Sequence, residues 1–409
     1  MHRRTFLSLC AALGVAAPLS ACADDETTEG EASDGRTDGG PSSSDTDDGT
    51  PATNATDRVL IVGAGAAGLS VGHLLAQRGI DFQIIEAAPT YGGRIKRADD
   101  FVDFPIPLGG EWLHEPEDEL DAIVNDPDVE VTTEMRAYDP TDPAGYYDGQ
   151  LVIGELGDEL DLKFVGATWL DFFEEYIVPS VSDRMTFDTE IVAIAYGDDG
   201  VALTAADGTA FTGDRVVVTV PLTALQNGRI AFDPPLPETK LEAFDGADVW
   251  GGMKVFIEFD EAFYPTALAF PDSETTDGQR LYYDAAYGQN TTSNVLGLFA
   301  VGAQAAPYQA VEGDDLRDFI LAELDDVFDG AASQHYIKHI AQNWSEEPFI
   351  EQAYLADVAD ASIPSVLWEP VGDRLFFAGD AYTTHDDWSA VDDAAQSARD
   401  TVERIVEGA

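Results

Sequence analysis

Three stretches of the 409-residue chain predict an α/β fold in which a Rossmann-like domain interleaves with a smaller α+β domain. The first is Asp57–Arg94, DRVLIVGAGAAGLSVGHLLAQRGIDFQIIEAAPTYGGR, where an apolar strand runs into a glycine turn, a helix and a second strand. The second is Thr186–Val220, whose short apolar runs around the Asp207-Gly208 turn read as β structure. The third is the buried run Leu375–Ala378, which delivers Gly379 and Asp380. Beyond it, apolar positions 391, 394, 395, 398, 402 and 405 trace one helix face.

The first stretch carries the most chemistry. Val59–Val62 is a buried-strand run, and Gly63, Gly65, Ala67 and Gly68 open a helix that reads as far as Arg78. The three glycines answer three needs: a tight turn, close approach of backbone to a pyrophosphate, and close packing of helix on strand. The helix N-terminus offers free N–H groups and a positive dipole end to phosphates. Ile84 and Ile85 supply the second strand, and Glu86 the carboxylate that would meet a ribose hydroxyl pair. The pattern predicts an adenine dinucleotide.

Downstream stand Gly92-Gly93-Arg94 and then Leu108-Gly109-Gly110-Glu111-Trp112-Leu113-His114. This sequel resembles the flavin-containing amine oxidase superfamily, the group of monoamine, polyamine and L-amino-acid oxidases. The resemblance runs over about residues 58–409 and implies FAD. It implies that Gly93, Arg94, Gly110, Glu111 and Trp112 line the FAD site and that Ile191 contacts the adenine. His114 falls where polyamine oxidases carry a substrate-facing histidine, although a structural histidine fits the residue equally well. The helical segment before Thr186 is shorter than the family pattern, which implies a smaller or more open substrate cavity.

Gly252-Met253-Lys254-Val255-Phe256 aligns with the family strand whose lysine holds a water next to flavin N5, which implies a catalytic Lys254. An exposed strand lysine is the bland alternative. Against it stands the scarcity of the residue: Lys96, Lys163, Lys240, Lys254 and Lys338 are the only five. The resemblance places Trp344 near the isoalloxazine and Tyr354 as one wall of an aromatic cage, with aromatics simply packed in a core as the alternative. A cage would align a neutral amine and favour positive charge developing on it. Gly379 and Asp380 are implied at the ribityl chain, and Val391 stands where a second cage tyrosine occurs in monoamine oxidases. Ser389 with Asp392 reads as a capping box for the last helix.

Composition bounds the rest. The chain carries 78 Asp and Glu against 21 Lys and Arg, a formal net charge of −57. Such a surface repels itself at ordinary salt and suits concentrated salt; it argues against nucleic-acid partners and against adhesion to anionic lipid. His2-Arg3-Arg4-Thr5-Phe6-Leu7 and the apolar run to Ala21 look like a twin-arginine export signal, and Leu19-Ser20-Ala21-Cys22 resembles a lipobox. The expectation is an exported protein, lipid-anchored through Cys22 to the outer face of the cytoplasmic membrane. With Cys10 in the signal, the body has no thiol, so FAD is expected to be non-covalent; Ala353 also stands where monoamine oxidases link flavin to cysteine. His335, His339 and His385 show no metal-ligand spacing, and no metal is expected.

The expected organisation is a signal at 1–22, an acidic linker at 23–57, FAD-binding segments at 58–115, 186–232 and 343–409, and substrate-domain segments at 116–185 and 233–342. Within it, Glu115–Gly149 reads as turn-rich, Ala167–Val178 and Leu316–Phe328 as helices, and Gly251–Phe263 as the start of a strand. The expected activity is FAD-dependent oxidation of a small-molecule amine with O2 as acceptor. The alternatives are another oxidase or desaturase of the same fold and a non-catalytic or electron-transfer flavoprotein. An L-amino-acid oxidase would need a cation for the substrate carboxylate, with Arg184 and Arg280 as candidates.

Overall fold

The computed structural model describes residues 58–158, 161–356, 360, 362–385 and 387–408. The expected export signal, Cys22 and the acidic linker lie outside the described residues. A five-stranded parallel sheet runs in the order Met185–Thr186, Asp81–Ile85, Arg58–Val62, Arg215–Val218, Leu375–Phe377. Its strands come from three distant parts of the chain. The strands Arg58–Val62 and Arg215–Val218 are apolar at every position after the first because both faces are covered. Val59, Ile61 and Val217 pack with the helices Ala66–Gln77 and Val391–Glu407, whereas Leu60, Val62, Val216 and Val218 pack on the other side against Leu203 and Phe377. A four-stranded sheet, Ala210–Gly213, Gly200–Ala205, Ile191–Gly197 and Ala231–Asp233, covers that second side.

The second domain is built on a larger mixed sheet. Its path is Tyr336–Asn343, Gly252–Phe259, Asn294–Gly302, Gly278–Asp284, Ala267–Ala269, Pro143–Tyr147, Leu151–Glu155, with Glu274–Thr275 paired to Gly278–Asp284. Alternation along Gly252–Phe259 decides which side chains reach the site. Met253, Val255 and Ile257 pack with Leu316, Ile320 and Leu324 of the helix Gly313–Val327. The residues between them are turned to the other face, where Phe256 joins Trp112, Tyr283 and Phe299.

Two expectations are corrected. The segment read as turn-rich holds a helix, Asp118–Val124, and the strands Met135–Ala137 and Pro143–Tyr147. Its Asp, Pro and Gly residues mimic a loop, but pairing with Ala267–Ala269 and Leu151–Glu155 supplies the ladder that local propensity does not. The last helix is not capped by Ser389 and Asp392. Its cap is Ala390, whose N–H donates to Asp393 Oδ2 at 2.8 Å, while Ser389 Oγ donates to the Leu355 carbonyl at 2.8 Å. Asp392 is buried instead.

Candidate active site

The two domains meet over a cavity of about 650 Å³. Gly63, Gly65, Ala67, Glu86, Gly93, Arg94, Gly110, Glu111, Trp112, His114, Ile191, Lys254, Trp344, Tyr354, Gly379, Asp380 and Val391 all line it. Gly68 does not; a Cβ there would sit 2.0 Å from the Gly63 carbonyl oxygen, so its task is to let helix meet strand. Gly63 adopts φ +112°, the left-handed region that a side chain resists, and this turns the strand toward the helix. A Cβ on Gly65 would meet nothing within 4 Å among the described residues beyond its chain neighbours, so the space beside it is open.

This end of the cavity fits an adenine dinucleotide. The helix Ala66–Gln77 begins on Gly65 with no side-chain cap and no acidic residue in its first turn, although the chain carries 78 acids. Its N–H groups and dipole therefore face the cavity without competition from protein carboxylates. The lining also departs from the overall charge balance. Its formally charged residues other than His114 are five acids (Glu86, Glu111, Glu190, Glu347, Asp380) and five bases (Arg94, Lys96, Arg97, Arg229, Lys254). An anionic ligand meets no net acidic field there.

Glu86 Oε2 accepts from the Ala64 N–H at 2.6 Å and Oε1 from Ala88 at 2.8 Å. Burial raises the Glu86 carboxyl above its ordinary value, opposed by these N–H bonds. Arg94 and Asp380 form a bidentate pair at 2.8 and 2.5 Å, and Arg94 also donates to the Ala353 carbonyl at 2.5 Å. The Asp380 carboxylate, implied at the ribityl chain, lines the cavity and also receives the Arg94 guanidinium. Trp344 is buried, with Nε1 donating to the Leu108 carbonyl at 3.0 Å.

The other end is aromatic around a buried charge. Tyr354 pairs with Trp250 in a short ladder, their rings 6.2 Å apart, and its hydroxyl lies 3.5 Å from Gln279 Oε1. Trp112 stands edge-on to Tyr283 at 4.9 Å and to Phe299 at 6.4 Å. The Lys254 ammonium lies 4.8 Å over the Trp112 ring and donates to Glu111 Oε2 at 2.7 Å. Lys163 Nζ approaches Glu111 Oε1 at 3.3 Å, and the Tyr283 hydroxyl donates to Oε2 at 2.5 Å. Burial by itself would raise the Glu111 carboxyl, but the Lys254 and Lys163 charges outweigh it and hold the group below its ordinary value. Burial lowers the Lys254 ammonium, and the Glu111 charge opposes that.

His114 Nδ1 lies 2.9 Å from Asp161 Oδ1. Burial would lower its imidazolium, yet the Asp161 carboxylate outweighs burial and raises it. Val391 packs against Gly110, where a Cβ would come within 2.5 Å of Val391 Cγ2. Sequence reasoning missed Lys163, Tyr283 and Asp161. The scarcity argument that singled out Lys254 applies equally to Lys163 and could have found it. Arg184 and Arg280 do not line the cavity: Arg184 pairs with Asp81 at 2.5 Å, and Arg280 with Glu323 at 2.6 Å and Asp272 at 2.7 Å. Among the described residues, no group of three His, Cys, Asp or Glu is arranged to hold a metal ion.

The family described as flavin containing amine oxidoreductase matches residues 170–406, more than half of the chain, and an NAD(P)-binding Rossmann-like domain matches 61–126. The chain belongs to the flavin-containing amine oxidoreductase family. A flavin cofactor is what this family implies. Lysine-specific histone demethylase 1B of Mus musculus is 26% identical over 201 residues, which span 48% of this chain and only 24% of the demethylase. Polyamine oxidase 2 of Arabidopsis thaliana is 22% identical over 413 residues, covering 79% of this chain and 83% of that oxidase. A triple mutant of putrescine oxidase with redesigned cofactor binding shares the fold, with TM-score 0.72 and 16% identity over 87% of this chain and 99% of that one. Like the structures it resembles, the chain has a mixed α/β fold with a Rossmann-like domain.

Proposed function

We propose that this family member is an FAD-dependent amine oxidase that acts on the carbon next to the nitrogen of a small-molecule amine. One observation carries the reading: the dinucleotide cradle and a buried lysine among aromatic rings open into a single cavity. Bound there, FAD would supply a hydride acceptor for the amine's α-carbon, with O2 as the final acceptor and peroxide and a hydrolysable imine as products.

The chain's own residues would do the remaining work. Gly63, Gly65 and the helix N-terminus hold the pyrophosphate, and Glu86 faces the ribose. Trp112, Trp344 and Tyr354 exclude water and orient an uncharged amine, and their π-faces favour positive charge growing on it. Lys254 presents a fixed positive charge where negative charge accumulates during reduction. Val391, in place of an aromatic, leaves one wall of the slot aliphatic, which suits an alkyl amine chain better than an aryl one. The names of the polyamine and putrescine oxidases put diamines and polyamines first among the substrates to try. With Arg184 and Arg280 paired elsewhere, neither is placed to hold an amino-acid carboxylate. Ala353 and the absence of cysteine beyond Cys22 support non-covalent FAD.

The test is anaerobic mixing of the purified flavoprotein, at high salt, with diamines, polyamines, monoamines and L-amino acids. At least one amine should bleach the flavin, and Lys254→Met should slow bleaching about 100-fold or more, the scale of one lost electrostatic contact. The reading fails if no amine bleaches the flavin or if Lys254→Met bleaches at the parent rate. We propose export and lipid anchoring through Cys22 as well; labelled fatty acid should enter the protein and be lost in Cys22→Ser.

A further inference from the structure

Five lysines serve the whole chain, and two of them end on one buried carboxylate. Glu111 is 5% exposed, Lys254 4%, and Lys163 and Tyr283 2% each. Lys163 lies on the strand Leu162–Phe164, directly across the ladder from Trp112. Its ammonium donates to the carbonyls of Ala285 at 2.9 Å and Asp284 at 3.3 Å, so carbonyl oxygens hold it in place independently of Glu111. Among the described residues Lys254 has no such carbonyl pair; it donates to Glu111 and lies over the rings of Trp112, Phe256 and Tyr283.

We propose that Glu111 is a positioning residue that fixes Lys254 as a directed, permanently protonated ammonium, so that this lysine acts by its charge and never as a proton acceptor. The inference rests on the amine oxidase reading only for where the reactive end of the cavity lies. A buried ammonium without a counter-ion loses its proton, because the charged form bears the cost of leaving water. One carboxylate between two ammonium groups opposes this, although burial and the Lys163 charge still hold the Lys254 ammonium below its ordinary value, and it leaves the cluster with a net positive charge. That charge borders the cavity, where it stabilises an electron-rich ring system. The hydrogen bond from Nζ to Oε2 also aims the ammonium, which a flexible four-carbon side chain would not do by itself.

Removing Glu111 changes the charge arithmetic. Two like charges then share a dry site and cannot both stay ionised. Lys163 keeps its two carbonyl acceptors, so Lys254 is the one to release a proton. The other titratable groups facing the cluster do not substitute for Glu111. Burial pushes the Tyr138 and Tyr283 hydroxyls well above the ordinary tyrosine range, and burial raises Asp284 on the far side of Lys163.

The experiment measures sulfite affinity of the holoenzyme across pH by bleaching of the flavin. Sulfite donates a lone pair to flavin N5 and leaves negative charge on the ring, so its affinity reads the nearby positive charge and needs no amine. Ratios between variants cancel the ionisation of sulfite itself. Wild type and Lys254→Arg should run parallel between about pH 6 and about pH 9, because neither cation titrates there. Relative to wild type, Glu111→Gln should lose about tenfold in affinity for each pH unit above the new lysine pKa. Adding Lys254→Arg to Glu111→Gln should abolish that slope, and Glu111→Asp should restore the parent profile.

A Glu111→Gln profile parallel to wild type overturns the proposal, as does a slope that survives Lys254→Arg. Should Glu111→Gln fail to fold, the wild-type comparison with Lys254→Arg still decides: a lysine titration in the wild type overturns the proposal. An amine screen without bleaching would sink the proposed activity and leave this result standing.

Discussion

Replacing Gly65 and Gly68 by alanine, one at a time, separates ligand binding from folding at the glycine turn. At Gly68 the new Cβ would lie 2.0 Å from the Gly63 carbonyl oxygen, 1.4 Å inside the 3.4 Å at which ordinary contact begins. The obstacle is backbone, so the helix must lift off the strand. The cost belongs at or above the ~3 kcal/mol upper end of overpacking. At Gly65 the Cβ meets nothing within 4 Å among the described residues beyond its chain neighbours, and the residue has φ −78° and ψ −173°, which alanine adopts freely. A small cap penalty and a small entropy gain, each of order 0.5–1 kcal/mol, nearly cancel there. The added methyl instead occupies the space where the pyrophosphate approaches the backbone. Loss of one charge-assisted N–H contact, about 1.5–3 kcal/mol, weakens flavin affinity about ten- to hundredfold. Apo-protein melting and flavin titration by fluorescence quenching read the two effects separately. Gly65→Ala should keep the apo melting temperature and lose affinity; Gly68→Ala should lose both. If Gly65→Ala melts as low as Gly68→Ala, or binds flavin as tightly as the parent, the division of labour between the glycines is wrong.

Three further outcomes follow from the same geometry. Arg94→Met leaves Asp380 buried without its guanidinium and should destabilise the fold by ~3–5 kcal/mol in denaturant titration, with Arg94→Met/Asp380→Asn recovering part of the loss. Burial pushes the Asp392 carboxyl up to about 6, and burial with the Asp392 charge beside it pushes Asp393 up to about 8. Both folded-state values exceed the unfolded ones, so this pair's contribution to stability is complete below about pH 4 and lost as pH rises toward about pH 8. Asp392→Asn should therefore gain up to ~3 kcal/mol over the parent at pH 8 and nothing at pH 4, read from melting curves. Finally, the net charge of −57 should make the melting temperature rise steeply between about 0.1 M and 1 M salt, where the screening length falls from ~10 Å to ~3 Å; a flat response would show that the acidic surface does not repel itself.

Much of the fold could be read locally because its signals are local. The turn at Gly63–Gly68, the strands flanking it and the last helix each declare themselves within about 20 residues, through glycine geometry and apolar periodicity. The helices expected at Leu316–Phe328 and Ala167–Val178 stand at Gly313–Val327 and Trp169–Tyr176. The strand Pro143–Tyr147 was illegible because its Pro and Gly residues mimic a loop, and one of its two ladders is with Ala267–Ala269, more than 100 residues away in the chain. The Ser389–Asp392 cap was misplaced by one residue at each end: helix starts depend on which N–H the folded chain leaves for a side chain to meet, and here Asp393 meets that of Ala390.

By itself the sequence determined the dinucleotide turn, the interleaved α/β plan, the acidic surface and the positions Lys254, Trp344 and Tyr354 as candidates. The turn, the plan and the charge rest on short-range patterns and on composition, which hold whatever the rest of the chain does; the three candidate positions rest on the family resemblance. Only the tertiary structure decided what the charged side chains do. Arg94 and Asp380 are 286 residues apart and Glu111 and Lys254 are 143 apart, and each pair is set by how two domains close on one cavity. Spacing along the chain carries no record of such distances. A buried charge must nonetheless find a partner within about 4 Å, because leaving water without one costs several kcal/mol; that requirement makes residues that line the cavity also hold one another.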